Sequence, residues 1–168
     1  MPGKELEIEF ENKIREHHLL IHKVCRIYAF TEADRQDLFQ EIVINLWKSY
    51  SRFNGLSQFS TWMYRVAINT AITALRKKKD FITSYEPANL PSYHADETPP
   101  EEAQWQLVMH AIAQLNEIEK AIVMLYMEER CYEEMEEILG ITSGALRVKM
   151  SRIKDKLRKL TKNDNYGT

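Results

Sequence analysis

The chain has 168 residues, 44% of them hydrophobic and 29% charged, with a formal net charge of -2 and only two cysteines. That composition fits a globular protein of one ordinary domain or two small ones, and it excludes direct membrane insertion, since no apolar run approaches the roughly 18 to 20 residues of a span. Cys25 and Cys131 lie far apart with no C-x-x-C or histidine spacing, which leaves no zinc pattern and points to reduced thiols in a cytosolic protein without a secretory signal.

The pI near 6.2 is low for a nucleic-acid binder, but the average conceals a sorting of sign. Acid gathers at Glu5, Glu7, Glu9 and Glu11, at Asp34, Asp37 and Glu41, and from Glu128 to Glu137; base gathers from Arg76 to Lys79 and from Arg147 to Lys162. Separate acidic and basic surfaces suit a protein that meets two kinds of partner, because local potential rather than net charge steers association. For the N-terminal glutamates a plain solvated helix face is the simpler reading.

Taken in chain order, the periodicity is helical nearly everywhere and predicts an all-α protein. A first helix from about Leu6 to Tyr28 places Phe10, Ile14, Ile21, Val24 and Tyr28 on one stripe. A second, from about Asp34 to Tyr50, does the same with Leu38, Ile42, Leu46, Trp47 and Tyr50, its first turn open to capping by Asp34 and Asp37. A loop from Phe53 to Gln58 turns at Gly55, and a third helix follows from about Ser60 to Lys79. Residues 1–80 thus form one module.

Prolines 87, 91, 99 and 100 then stand among Ser, Asn, Asp and Glu, and residues 81–104 are taken as a flexible linker, although helical spacing resumes from Glu101. A second module over 105–162 is predicted to restart at an Asn116/Glu119 capping box. Helices follow from about Glu117 to Glu129, from Tyr132 to Leu139, and, after a stop at Gly140, from about Gly144 to Leu160, leaving a tail at 163–168. The last helix carries an apolar seam of Leu146, Met150, Ile153, Leu157 and Leu160, flanked by Arg147, Lys149, Arg152, Lys154, Lys156, Arg158 and Lys159. A short helix, a turn and a basic helix make a helix-turn-helix, which can lie in a major groove with its N-terminal residues on base edges and its flanks on phosphates.

At about 100° per residue, Trp62, Arg65, Asn69, Thr73 and Arg76 share one face of the third helix, opposite Met63, Ala67, Ala71, Ala74 and Leu75. A Trp beside Arg and Asn suits opened DNA: the indole replaces a lost stacking partner, the guanidinium holds phosphate and the amide reads an extruded base edge. Spacing alone equally allows a Trp that merely covers a helix junction. No Gly-rich phosphate loop, nucleophile elbow or zinc spacing is present, and the adjacent His17 and His18 face different sides of a helix. The sequence therefore predicts no catalytic site, no metal and no cofactor.

The segment from Phe53 to Asn69, FNGLSQFSTWMYRVAIN, resembles the F-x-G-x-x-x-F-x-T-W-L-Y-R-I-A-x-N pattern of region 2 in sigma-70 family factors of the extracytoplasmic-function (ECF) type. The stretch from Asp34 to Glu41, followed by Trp47, resembles that family's polymerase-docking helix. From Cys131 to Arg152, CYEEMEEILGITSGALRVKMSR resembles region 4, whose usual form is S-Y-E-E-I-A-x-x-L-G-x-x-x-G-T-V-K-S-R. The resemblance implies a cytoplasmic transcription initiation factor that binds core RNA polymerase and promoter DNA, both as duplex and as melted non-template strand, and that is held by an anti-sigma factor.

By that resemblance Asp34, Asp37, Gln40, Glu41 and Asn45 would meet the polymerase. Asn54, Ser57, Gln58, Trp62, Arg65, Asn69, Arg76 and Lys77 would handle the minus-ten element, and Thr142, Ser143, Ala145, Arg147, Lys149, Arg152 and Lys156 the minus-thirty-five element. Three departures stand out. Cys131 replaces a capping Ser, Glu136 replaces a small Ala and so implies either splayed helices or a pairing with a nearby Arg or Lys, and Arg147 and Lys149 bracket the usual basic position. A conventional helix-turn-helix regulator would explain 115–160 and leave the Phe53 to Phe59 loop idle; a degenerate sigma-like adaptor would read no promoter.

Overall fold

The computed structural model describes residues 2–82 and 100–166, and among them every regular element is helical. In chain order these are α1 (Pro2–Tyr28), α2 (Glu32–Tyr50), α3 (Phe59–Ile82), α4 (Pro100–Ala113), α5 (Glu117–Met127), α6 (Tyr132–Leu139) and α7 (Ser143–Tyr166). The chain divides into two compact units, Met1–Lys77 and Lys78–Thr168. Most of the linker expected at 81–104 lies outside the described residues. At its ends 81–82 close α3 and 100–104 open α4, in line with the helical spacing from Glu101; Pro100 supplies a pre-set φ and Glu101 and Glu102 lie at the positive end of the helix dipole. The expected tail likewise begins inside α7.

In the first unit α1, α2 and α3 bury the stripes their periodicity announced. Ile21, Ile42, Leu46, Met63, Tyr64 and Ile68 are fully buried, each aliphatic side chain contributing about 1.5–3 kcal/mol of transfer free energy. Trp47 departs from its stripe: it is 41% exposed, with its ring 5.1 Å from Phe10. The start of α2 is capped by Thr31 rather than by Asp34 and Asp37. The Thr31 hydroxyl accepts the Asp34 N–H at 3.1 Å, and the acids of the first turn are left to oppose the dipole.

The second unit is organised around α7, against which α4, α5 and α6 pack. Leu146 and Ile153 of the predicted seam are fully buried with Ile112, Ile122, Leu125 and Met135, and Met150 is buried beside them. The Asn116/Glu119 capping box forms as expected: Asn116 Oδ1 accepts the Glu119 N–H at 2.8 Å, and Glu119 Oε1 accepts the Asn116 N–H at 3.2 Å. Helix α5 stops at Met127, two residues before the predicted end, because Glu129 adopts a left-handed φ of 58°. The Glu129 and Arg130 N–H groups then bond back to the carbonyls of Tyr126 and Leu125, a helix-ending pattern usually built on glycine. Helix α6 ends at Gly140, φ 70°, as its sequence predicted.

Candidate nucleic-acid interface

On α2, Asp37, Gln40 and Glu41 lie at i, i+3 and i+4 and are all exposed, so they form one acidic-polar face, with the half-buried Asp34 a turn before them. Asn45 does not join that face. It is half-buried, and its Nδ2 donates to Thr70 Oγ1 at 3.0 Å while the Thr70 hydroxyl donates to the Val66 carbonyl at 2.7 Å. Its amide thus ties α2 to α3 instead of pointing outward with its predicted companions.

The loop between α2 and α3 rests on a cluster of rings. Trp62 lies 5.1 Å from Phe53, 5.4 Å from Phe59 and 6.2 Å from Tyr50, centroid to centroid, and is half-buried. The indole covers the junction of α2, loop and α3, as one of the two readings of its spacing expected, and the rest of it remains accessible beside Arg65 and Asn69. Those two, with Thr73, Arg76 and Lys77, are exposed along the same side of α3, opposite the buried Met63, Ala67 and Ala71. The loop turns at Gly55, φ 75°, where the Leu56 N–H donates to Asn54 Oδ1 at 3.1 Å; Gln58 is exposed and Ser57 half-buried. Leu56, 88% exposed at the tip of this turn, was not singled out by sequence reasoning, because an apolar loop residue carries no motif.

Two residues of α1 join this cluster: Lys13, which no motif marked, and Glu9, which the sequence suggested was part of a solvated face. Lys13 Nζ stands 4.7 Å from the Phe59 ring centroid and 5.8 Å from that of Phe53, a cation laid over the aromatic cluster. Glu9 accepts the Tyr50 hydroxyl at 2.6 Å, and burial together with that carboxylate pushes the Tyr50 phenol up to about 12. His17 packs at 5.3 Å against Phe59, an interhelical role consistent with its position on α1.

In the second unit the turn from α6 to α7 presents the exposed start of the basic helix. Thr142 caps it, its Oγ1 accepting the Ala145 N–H at 3.3 Å and its carbonyl the Leu146 N–H at 2.9 Å. Glu136 neither splays the helices nor pairs with a basic residue: its carboxylate accepts the Ser143 N–H at 3.1 Å and the Ser143 hydroxyl at 2.6 Å. These bonds hold the Glu136 carboxyl below its ordinary value near 4.5. Ser143 is therefore engaged within the protein, which sequence alone did not foresee. Cys131 precedes α6 without a side-chain cap bond, as its thiol predicted.

Arg147 is exposed, stacked 5.0 Å over the Tyr132 ring and 3.8 Å from Glu133, so α6 pre-orients its guanidinium. Lys156 is drawn to Glu119 of α5 at 3.1 Å, away from a purely solvent-facing position. Ala145 is half-buried. Lys149 and Arg152 are exposed and, with Asn116 and Ile122, line a groove of about 440 Å³ between α5 and α7. Val148, 52% exposed between Arg147 and Lys149, completes an outward surface of cations around one apolar contact.

Among the described residues no group of three or more His, Cys, Asp and Glu side chains is placed to hold a metal, and no helix is long and apolar enough to cross a membrane. The family description Sigma-70 region 2 matches residues 14–81, and Sigma-70, region 4 matches residues 105–157. The ECF RNA polymerase sigma factor SigW of Bacillus subtilis is 30% identical over 152 residues, covering 83% of this chain and 81% of its own. The ECF RNA polymerase sigma-E factor of Escherichia coli is 29% identical over 149 residues, covering 80% and 78%. Among solved structures, the sigma factor RpoE in complex with the anti-sigma factor NepR from Bartonella quintana shares the fold with a TM-score of 0.73 at 18% identity, covering 93% of this chain and 98% of that one. CnrH in complex with the cytosolic domain of CnrY does so at 0.68 and 16%, covering 94% and 90%. A region 2 unit carrying the aromatic loop, a region 4 helix-turn-helix and relatives of one kind matched over about four fifths of their length agree: the chain belongs to the ECF RNA polymerase sigma factors of the sigma-70 family.

Proposed function

We propose that this sigma factor binds core RNA polymerase through Asp37, Gln40 and Glu41 of α2, opens the minus-ten element with the α2–α3 loop and α3, and reads the minus-thirty-five element with α7. The half-exposed Trp62 with Arg65, Asn69, Arg76 and Lys77 along one side of α3 carries the reading. An indole already seated on three rings offers a fixed stacking surface to an unpaired base, and the cations beyond it track the phosphates. The exposed loop tip around Asn54 and Leu56 takes the extruded base of the non-template strand, Leu56 acting as an apolar wedge. Opening is driven by binding energy, and the chain performs no chemistry of its own.

At α7, Arg147, Val148 and Lys149 meet base edges and Arg152 meets phosphate, while Lys156 must exchange Glu119 for DNA. The likeness to RpoE, determined in complex with the anti-sigma factor NepR, supports an anti-sigma partner for this chain as well, and its place of action is the cytoplasm. The test is fluorescence of a base analogue in the minus-ten region as the chain and core RNA polymerase are added alone and together. A signal that needs both proteins is expected. Tight binding to duplex by the chain alone, without opening, would replace this function with that of a conventional helix-turn-helix regulator.

A further inference from the structure

The α6–α7 turn contains a contact that duplex reading by itself does not require. Glu136 stands where the related pattern carries a small alanine, and its carboxylate reaches seven residues along the chain to the first residue of α7. The Ser143 N–H that it accepts at 3.1 Å is one of the helix-start donors with no carbonyl inside the helix, and the Ser143 hydroxyl adds a second bond at 2.6 Å. Bonds to an ionised acceptor are the stronger kind, and a carboxylate at this end also opposes the positive pole of α7. On the outer side Arg147 also reaches back to Tyr132 and Glu133 of α6, but a turn further along α7; the Glu136 bonds are the ones that tie α6 to its first residue, and Gly140 and Thr142 between them are exposed. On the inner side Met135 and Ile138 of α6 are buried where that helix packs on α7, with Leu146 and Met150; apolar burial is non-directional, whereas the two bonds from Glu136 are directed.

A free helix start is a ready anion site, and a recognition helix offers its own to a DNA phosphate. Here the protein's own carboxylate occupies it. Resting on the reading of α7 as the duplex-recognition helix, we propose that Glu136 is a positioning residue for minus-thirty-five recognition. Its bonds to Ser143 fix the start of α7 against α6, so that Arg147 and Lys149 meet the base edges at one angle, and they deny the helix start to phosphate. Sequence discrimination is thereby gained at the expense of non-specific affinity.

The experiment uses the full chain with core RNA polymerase. Duplexes are enriched from a random-sequence pool by the wild-type assembly, and affinities for the enriched duplex and a scrambled one are then compared for wild type, Glu136→Ala, Glu136→Gln and Ser143→Ala. In Glu136→Ala the ratio of the two affinities is expected to fall roughly tenfold, as loss of a charged hydrogen bond implies, with scrambled binding unchanged or tighter. Glu136→Gln, which keeps an acceptor oxygen, restores most of the ratio, and Ser143→Ala, which keeps the backbone bond, lowers it about two- to threefold. A cap that only stabilised the fold would lower the thermal midpoint and leave the ratio unmoved, and that result overturns the proposal. Should Glu136→Ala fail to fold, an unchanged ratio in Ser143→Ala overturns it equally. A pool from which even the wild-type assembly enriches nothing refutes duplex reading itself, and the role of Glu136 with it, before any variant is compared.

Discussion

Replacing Trp62 by alanine separates two jobs that one side chain performs. The ring makes three aromatic contacts, at 5.1, 5.4 and 6.2 Å, and is half-buried. A fully buried Trp→Ala costs about 3–5 kcal/mol, so this half-buried one should cost about 2 kcal/mol, most of it the loss of those pairs at about 0.5–1.5 kcal/mol each. The first unit, Met1–Lys77, should have a total stability of about 4–11 kcal/mol, so the variant stays folded at 25 °C with a lowered melting midpoint. Stacking of an unpaired base on an aromatic face is worth about 1–3 kcal/mol, and opening measured with a minus-ten base analogue and core RNA polymerase should therefore fall by roughly 5- to 150-fold. Polymerase binding should not change. Trp62→Phe, which refills most of the cluster, should recover most of the melting midpoint and part of the opening. Opening at the wild-type level in Trp62→Ala would refute the stacking argument. Loss of opening together with polymerase binding and helical content would refute the estimate that the unit survives.

Asn45→Ala removes the bond to Thr70, whose hydroxyl keeps the Val66 carbonyl, and should destabilise the first unit by about 1 kcal/mol in denaturant titration while leaving polymerase affinity unchanged. Glu129→Gly relieves a left-handed φ that costs about 1–2 kcal/mol and gives back about 0.4–1 kcal/mol through the freer unfolded chain, so thermal melting of the second unit should show a net gain of about 0.5–1 kcal/mol. The Glu136 carboxyl is held below its ordinary value, so its contribution is present above the unfolded value near 4.5 and is lost as pH falls through the lower folded one. Amide exchange of Ser143 should accordingly stay protected at pH 4.5 in wild type but not in Glu136→Ala. Burial pushes the Cys25 thiol up to about 11, so at pH 8 a thiol reagent should label the exposed Cys131 and reach Cys25 only after unfolding. Labelling of both at one rate in the native protein would contradict that burial.

What the sequence by itself determined is the part of the protein that depends on neighbours a few residues apart. Helical periodicity placed Ile21, Ile42, Met63 and Leu146 in cores, the Asn116/Glu119 box and Gly140 set helix ends, and the spacing of Trp62, Arg65 and Asn69 put one side of α3 toward solvent, because a helix converts sequence separation into direction. The resemblance of the Phe53 to Asn69 and Cys131 to Arg152 segments identified the family that the matched relatives share. What only the tertiary structure decided is which polar groups spend their bonds inside the protein. Asn45 finds Thr70 across 25 residues, Lys156 finds Glu119 across 37, and Glu9 and Lys13 reach the aromatic cluster from another helix. Glu136 turned to Ser143 rather than to a cation because the left-handed turn at Gly140 brings the helix start within bonding distance of its carboxylate. Hydrogen bonds act over about 3 Å, so residues equally polar in sequence are sorted into structural ties and free contacts only once packing has fixed the distances between helices.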